Sequence, residues 1–213
     1  MIVEDFFCEK VTLERGPHAC RAQCTSCALA VATANTEKMR SLFNDKPTGA
    51  RFSPCRRWRY ALWRTWDQTK PHVTFLMMNP SDANEVDNDP TVARCQVRAG
   101  KWAELGWWDV GGVKVVNAFA WVETESRKLA QRVREGVNIV GPDNDAAIVE
   151  ACLGAAIVVC GWGLPGHQLL GRGPAVLKLL RQYGVDPHAF KVNADGSPKH
   201  PLYVGYDVRP MPF

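Results

Sequence analysis

The sequence has no apolar stretch long enough to cross a membrane. The longest, Leu153 to Leu164, is broken by Gly154, Gly161 and Gly163 and falls well short of the roughly 20 residues that a span requires. The opening Met-Ile-Val-Glu-Asp-Phe-Phe lacks the basic start and apolar run of a secretory signal, so a cytoplasmic location is expected. There is no internal repeat and no low-complexity tract, which excludes solenoids and propellers. Strong net charge is also missing. The formal value is +4, too small to announce nucleic acid by itself. With 46% apolar and 23% charged residues over 213 positions, the collagen-like, disordered and coiled-coil classes drop out, and one medium domain with a short appendage fits.

What is present is unevenly distributed. Residues 51–70 hold Arg51, Arg56, Arg57, Arg59, Arg64 and Lys70 against Asp67 alone, a local charge of +5, so the remainder is slightly acidic. The arginines alternate with Trp58, Tyr60, Trp63 and Trp66. Such a mixture can contact phosphates and stack on bases. It equally describes a strand with arginines on its wet face and aromatics in the core. Gly171-Arg172-Gly173 precedes a predicted helix, where a phosphate could sit on the helix N-terminus.

Four of the eight cysteines, Cys8, Cys20, Cys24 and Cys27, lie in the first fifty residues. In a reducing compartment thiols or metal ligands are favoured over disulfides. The spacing of Cys20, Cys24 and Cys27 matches that of the four-iron cluster in radical S-adenosylmethionine enzymes, but too little chain follows it for their large partial barrel. Cys8, His18 or Cys55 could complete a structural zinc or iron–sulfur site. Free thiols on a poorly ordered extension are the alternative. Cys95, Cys152 and Cys160 stand in apolar contexts and read as core residues.

A helix is expected from about Thr25 to Phe43, and Asn44 to Gly49 breaks it, so the boundary is placed with residues 1–50 as a Cys-bearing extension and 51–213 as the main domain. Within that domain Cys55 to Trp66 reads as a strand pair or a short helix. Val73–Met78, Val113–Phe119 and Ala155–Cys160 read as strands buried on both faces, and Phe190–Val192 as a short fourth. Helices are expected over Pro90–Leu105, Asp143–Leu153 and Ala175–Tyr183, with Asp89 a candidate cap for the first. The alternation predicts an α/β fold, a three-layer α/β/α arrangement around a mostly parallel central sheet of about four strands. In such folds the ligand lies beyond the carboxyl ends of the strands.

The residues at those ends are Asn79-Pro80-Ser81, Asn117-Ala118-Phe119, Gly161-Trp162-Gly163 and His200-Pro201-Leu202-Tyr203. An Asn after a buried strand can hold a water through its side-chain oxygen. A second Asn offers a donor and an acceptor to the edge of a base. A loop His can donate to an oxygen that turns negative as a bond breaks. Asx-turns and a surface histidine are the plain alternative.

Three of these segments, those at Asn79, Asn117 and His200, together with Phe52 to Arg64, Asp89-Pro90-Thr91 and Asn144-Asp145-Ala146, resemble an uncharacterised phage and bacterial family, the domain of unknown function numbered sixteen forty-three. Their order is in turn similar to the uracil-DNA glycosylase superfamily. That second resemblance implies a glycosylase-like fold and hydrolysis of an N-glycosidic bond on a modified pyrimidine in DNA or a nucleotide, with no cofactor needed for the chemistry. It implies that Asn79, in an Asn-Pro motif followed by Ser81, places the attacking water. Asn117 would read the base, and Trp162 lies in a motif like the family's Trp-Gly. His200 would touch the base oxygen, and Leu202 and Tyr203 would enter the groove. Phe119 and Trp121 are candidates for the aromatic that stacks on a flipped base, and Asp82, Asp87 and Asp89 for a carboxylate that helps activate the water. Arg56, Arg57, Arg59, Arg64 and Arg172 are the expected nucleic-acid contacts. A bacterial or phage-infected cytoplasm and a monomer are expected. Two other functions remain open: a non-catalytic nucleic-acid-binding protein on this scaffold, and a hydrolase or transferase acting on a free modified nucleotide.

Overall fold

Each buried strand predicted from an apolar run ends in a turn, and those turns set the architecture. The computed structural model describes residues 46–213. The chain runs through β1 (Thr48–Phe52), β2 (Arg59–Thr65), β3 (His72–Met77), α1 (Pro90–Glu104), β4 (Gly112–Asn117), α2 (Leu129–Arg134), α3 (Asn144–Cys152), β5 (Ile157–Cys160), α4 (Gly163–Gln168), α5 (Arg172–Gln182), β6 (Pro187–Ala189) and β7 (Met211–Pro212). One-turn 3-10 helices cover Ser126–Lys128, Leu169–Gly171 and Pro201–Tyr203. No helix among the described residues is long and apolar enough to cross a membrane. The expected metal ligands Cys8, Cys20, Cys24 and Cys27, and the helix expected over 25–43, lie outside the described residues. Cys55 is exposed beside the Ser53 hydroxyl, at 3.4 Å.

The sheet is α/β in class but larger and more mixed than expected. Seven strands lie in the order β1-β2-β4-β3-β5-β6-β7. The four inner strands β4, β3, β5 and β6 are parallel, while β1, β2 and β7 pair antiparallel at the two sides. The strands absent from the sequence reading are β1, half-buried, and β7, exposed and two residues long; neither has the continuous apolar run that marks a doubly covered strand. The expected fourth strand is displaced. β6 occupies Pro187–Ala189, and Phe190 beyond it turns into the core against Trp102, with ring centroids 5.9 Å apart. β1 also takes up residues 48–50, which the sequence reading placed in the extension.

Alternation along β3 assigns its faces. Val73, Phe75 and Met77 pack with Val92, Cys95, Ala99 and Trp102 of α1. His72 Nε2 and Thr74 Oγ1 on the other face meet the Ala151 carbonyl of α3 at 2.9 and 2.5 Å. Helices therefore cover both faces. The connection leaving β3 goes to α1 and returns in β4, whereas β5, on the other side of β3, leads to α4, α5 and β6. Adjacent strands whose connections diverge open a crevice at their carboxyl ends.

Two local features shape that crevice. Asp89 caps α1, its Oδ1 accepting from the Val92 amide at 2.8 Å, with Pro90 in the first turn. The β1–β2 register shifts between Arg51, paired with Ala61, and Phe52, paired with Arg59. This bulge at Tyr60 breaks the side-chain alternation of β2. Tyr60 packs beside Ala147 of α3, while Arg59 and Leu62 both serve the α1 face.

Candidate functional site

A cavity of about 530 Å³ lies at the carboxyl ends of β3, β4 and β5, a size ordinary for small-ligand sites. Its wall brings together Asn79, Ser81, Asp89, Asn117, Trp162, His200, Leu202 and Tyr203, all singled out from the sequence. Their convergence follows from strand register. Met77 lies opposite Asn117 and Leu76 opposite Cys160, so the residues just past these positions leave the sheet at one level.

The orientation of each polar side chain is set by its partners. Asn79 Nδ2 donates to the carbonyls of Pro80 at 2.9 Å and Glu123 at 2.6 Å. Both amide hydrogens are consumed, and Oδ1 is left as the acceptor at the wall. Asn117 is the reverse case. Its Oδ1 accepts from Arg59 Nη2 at 3.4 Å, leaving its NH2 as the donor. Beneath it, Asn144 Nδ2 donates to the carbonyls of Asn117 and Ala118 at 2.9 and 3.1 Å, and Arg172 Nε donates to Ala118 at 2.6 Å. Asn144 and Arg172 thus hold the end of β4.

His200 caps its own 3-10 turn, with Nδ1 accepting from the Leu202 amide at 3.3 Å. The proton of the neutral ring therefore sits on Nε2. Burial lowers its pKa to about 4, with Asp89 pulling weakly the other way, so the ring is neutral at pH 7 and donates without being charged. The loop that carries it is clamped by α1. Arg98 donates to the carbonyls of Pro201, Val204 and Gly205, and Arg94 to those of Pro201 and Val204. Tyr206 lies under both guanidinium groups.

Several expected contacts stand elsewhere. Phe119 is fully buried and off the cavity wall, because its amide continues the pairing to Met78 and draws the ring into the core. Trp121 packs edge-on against Trp58 at 5.6 Å. The aromatic of the wall is Trp162, with Tyr203 exposed at the rim. Arg64 is buried and clamps the loop after Asn79, donating to Asn84, Asp87 and the side chain of Asn88 at 2.9, 3.1 and 2.8 Å. Arg172 is buried too and pairs with Asp145 at 2.5 Å. Backbone carbonyls, the Asn88 side chain and Asp145 engage most donors of these two guanidinium groups. Arg56 and Arg57 are exposed as expected, though Arg56 is held by Glu85 at 2.7 Å and stacks on Phe52. Asp89 lines the cavity while serving as helix cap. Asp82 accepts from the Thr124 hydroxyl and Asp87 from the Asn84 amide, and neither lines the cavity.

Sequence reasoning missed Glu123, Lys199 and Asn193 on the wall and the supporting role of Asn144. Glu123 lies six residues past β4, where no periodic signal marks it. Asn144 belongs to a segment noted above, yet its target is a carbonyl 27 residues away. Among the described residues no group of three or more His, Cys, Asp or Glu gathers as metal ligands do.

Comparison with curated proteins gives no match, and neither does comparison with solved structures. A family model described as protein of unknown function (DUF1643) matches residues 59–202, from Arg59 beside the bulge to the loop after His200, and the chain belongs to that family.

Proposed function

We propose that the cavity is the active site of a glycosylase-type hydrolase, acting on a modified pyrimidine carried by DNA or by a nucleotide. The observation that supports this reading best is the complementary orientation of three wall groups. Asn79 offers an acceptor, whereas Asn117 and His200 offer donors, around a space of nucleoside size. A water on Asn79 Oδ1 is placed to attack the sugar carbon. The carbon–nitrogen bond breaks and its electron pair leaves with the base. Asn117 and neutral His200 donate hydrogen bonds to the base as it turns anionic, and Trp162 supplies an apolar surface. An amide is a poor base, so the water's proton passes to a carboxylate of the wall, Asp89 or Glu123. The exposed Leu202 and Tyr203 suit the space left by a base turned out of a duplex.

A second reading draws on the burial of Arg64 and Arg172. With those donors inside, the basic surface is smaller than the sequence implied, which favours a free nucleotide over a duplex. One experiment separates the two. The protein is incubated with duplexes containing uracil, 5-hydroxymethyluracil and other modified bases, and with the corresponding nucleoside monophosphates. Abasic sites and released base are measured. Release from at least one substrate is expected, falling by about a hundredfold or more in Asn79→Ala or His200→Ala. Release from none would refute the hydrolase reading, and release only from monophosphates would select the nucleotide reading.

A further inference from the structure

We propose that Arg59 is the anion anchor of the cavity, so that the bound ligand presents to it an acceptor-only group carrying a full negative charge. The inference stands whether or not a glycosidic bond is cleaved. It starts from the bulge in β2, which brings Arg59 to the α1 face of the sheet and into the cavity wall. There the residue is 2% exposed.

A guanidinium has five N–H donors, and burying it is costly unless they are used. Nη1 donates to the Ala83 carbonyl at 2.7 Å and Nη2 reaches Asn117 Oδ1 at 3.4 Å. Nε is buried with no partner. No carboxylate among the described residues forms an ion pair with it. The contrast with other arginines is informative. Arg51, Arg132 and Arg172 have Glu150, Glu123 and Asp145. Arg64 and Arg98 lack a carboxylate but donate to several backbone carbonyls; Arg98 also leaves its Nε without a partner, but it stands off the cavity wall. Among these six, Arg59 alone both borders the cavity and is left undersatisfied.

Asp89 carries a negative charge that acts on both Arg59 and His200, yet its Oδ1 is committed to the Val92 amide. Burial lowers the Arg59 pKa to about 10, and it remains protonated at neutral pH. A buried, charged and incompletely paired guanidinium calls for an anion, and its planar fork suits an oxyanion. The neighbouring donors of Asn117 and His200 also suit an acceptor-only edge. Two sources carry that chemistry, a phosphate group and an ionised heterocyclic ring.

The test is equilibrium binding to the full chain. The probes are inorganic phosphate, uridine with uridine monophosphate, and uracil with 5-nitrouracil, which is ionised at neutral pH and reports its ionisation by its absorption band. The wild-type protein is expected to bind one anionic probe at least about tenfold more tightly than the neutral partner. Phosphate and the monophosphate identify the first source, 5-nitrouracil the second. Arg59→Met is expected to lose about tenfold or more of that affinity, and Arg59→Lys, which keeps the charge without the fork, to fall between. Equal affinity in the folded Arg59→Met protein would overturn the assignment. So would a wild-type protein that binds no anionic probe up to about 10 mM or prefers the neutral partners. The wild-type preference decides even if Arg59→Met fails to fold. Anion binding with no base release would remove the hydrolase reading and leave this inference standing.

Discussion

Replacing Arg98 by Met tests how the His200 loop is held. The side chain is fully buried, and it donates to three carbonyls, those of Pro201, Val204 and Gly205. Its guanidinium also lies over Phe190 and Tyr206, 4.4 and 4.9 Å from the ring centroids. Two of the three carbonyls keep a second donor in Arg94, at 3.1 and 2.8 Å. Gly205 alone loses its arginine, and a charge-assisted bond of this kind contributes about 1.5–3 kcal/mol. The ring contacts add roughly 0.5–2 kcal/mol, while relief of guanidinium desolvation works the other way. Met conserves much of the volume, so little cavity opens. The expected net loss is about 2–4 kcal/mol, a fall in melting temperature on the order of 4–16 °C for a domain of this size. Arg94→Met, whose two carbonyls both retain Arg98, is expected to cost about 1 kcal/mol. Thermal unfolding read by circular dichroism gives the ordering. Amide hydrogen exchange at Leu202 and Val204 shows whether the loop loosens first. A shift below about 1 kcal/mol in Arg98→Met, with exchange at those amides unchanged, would refute the clamp.

Acidification is expected to destabilise the fold through His72 and His200. Both have pKa values lowered by burial to about 4, against 6.5 for an ordinary histidine, and Lys114 adds to the effect at His72. In that window the unfolded chain takes up protons that the folded chain refuses. Stability therefore falls as the pH drops from about 6.5 toward 4, by up to about 1.4 kcal/mol per unit for each group. Urea titrations across the range measure the slope, and His72→Gln should remove part of it. The two roles of Asp89 separate by substitution. Asp89→Ala should cost about 1 kcal/mol as a lost cap, while Asp89→Asn should keep stability within a few tenths. If Asp89→Asn retains full base release, the carboxylate is not the proton acceptor. Asn144→Ala should cost about 1–3 kcal/mol, since two carbonyls at the end of β4 lose their donor, and it should raise KM more than it lowers stability-corrected kcat if Asn117 shifts. An unchanged KM would show that Asn144 supports the fold and not the site.

Which elements exist was largely readable from local pattern. The apolar runs at 73–78, 113–119 and 155–160 appear as β3, β4 and β5, and the capped segment at Asp89-Pro90 opens α1. A strand covered on both faces has to be apolar throughout, and a helix start has to satisfy its own amides, so both leave marks within a few residues. The convergence of Asn79, Asn117, Trp162 and His200 on one wall was likewise implied, because parallel strands deliver their carboxyl ends to one side.

The arginines mark the boundary of what such patterns carry. In sequence Arg56, Arg57, Arg59 and Arg64 form one basic run. In the fold Arg56 and Arg57 face solvent, Arg64 ties down a loop 20 to 24 residues away, and Arg59 enters the cavity. Their partners are mostly backbone carbonyls, which every residue possesses and no sequence motif announces. One bulge, set by pairing with β1, brings Arg59 to the same face of the sheet as Arg64, where strict alternation over five residues would have set them on opposite faces. The sequence alone determined the α/β class, three of the four inner strands and the identity of the strand-end residues, all consequences of local periodicity and capping. Tertiary structure alone decided which of the charged side chains were drawn inside, which carbonyls they met and which one came to the cavity wall with a donor unused, because burial of a charge depends on contacts between distant segments.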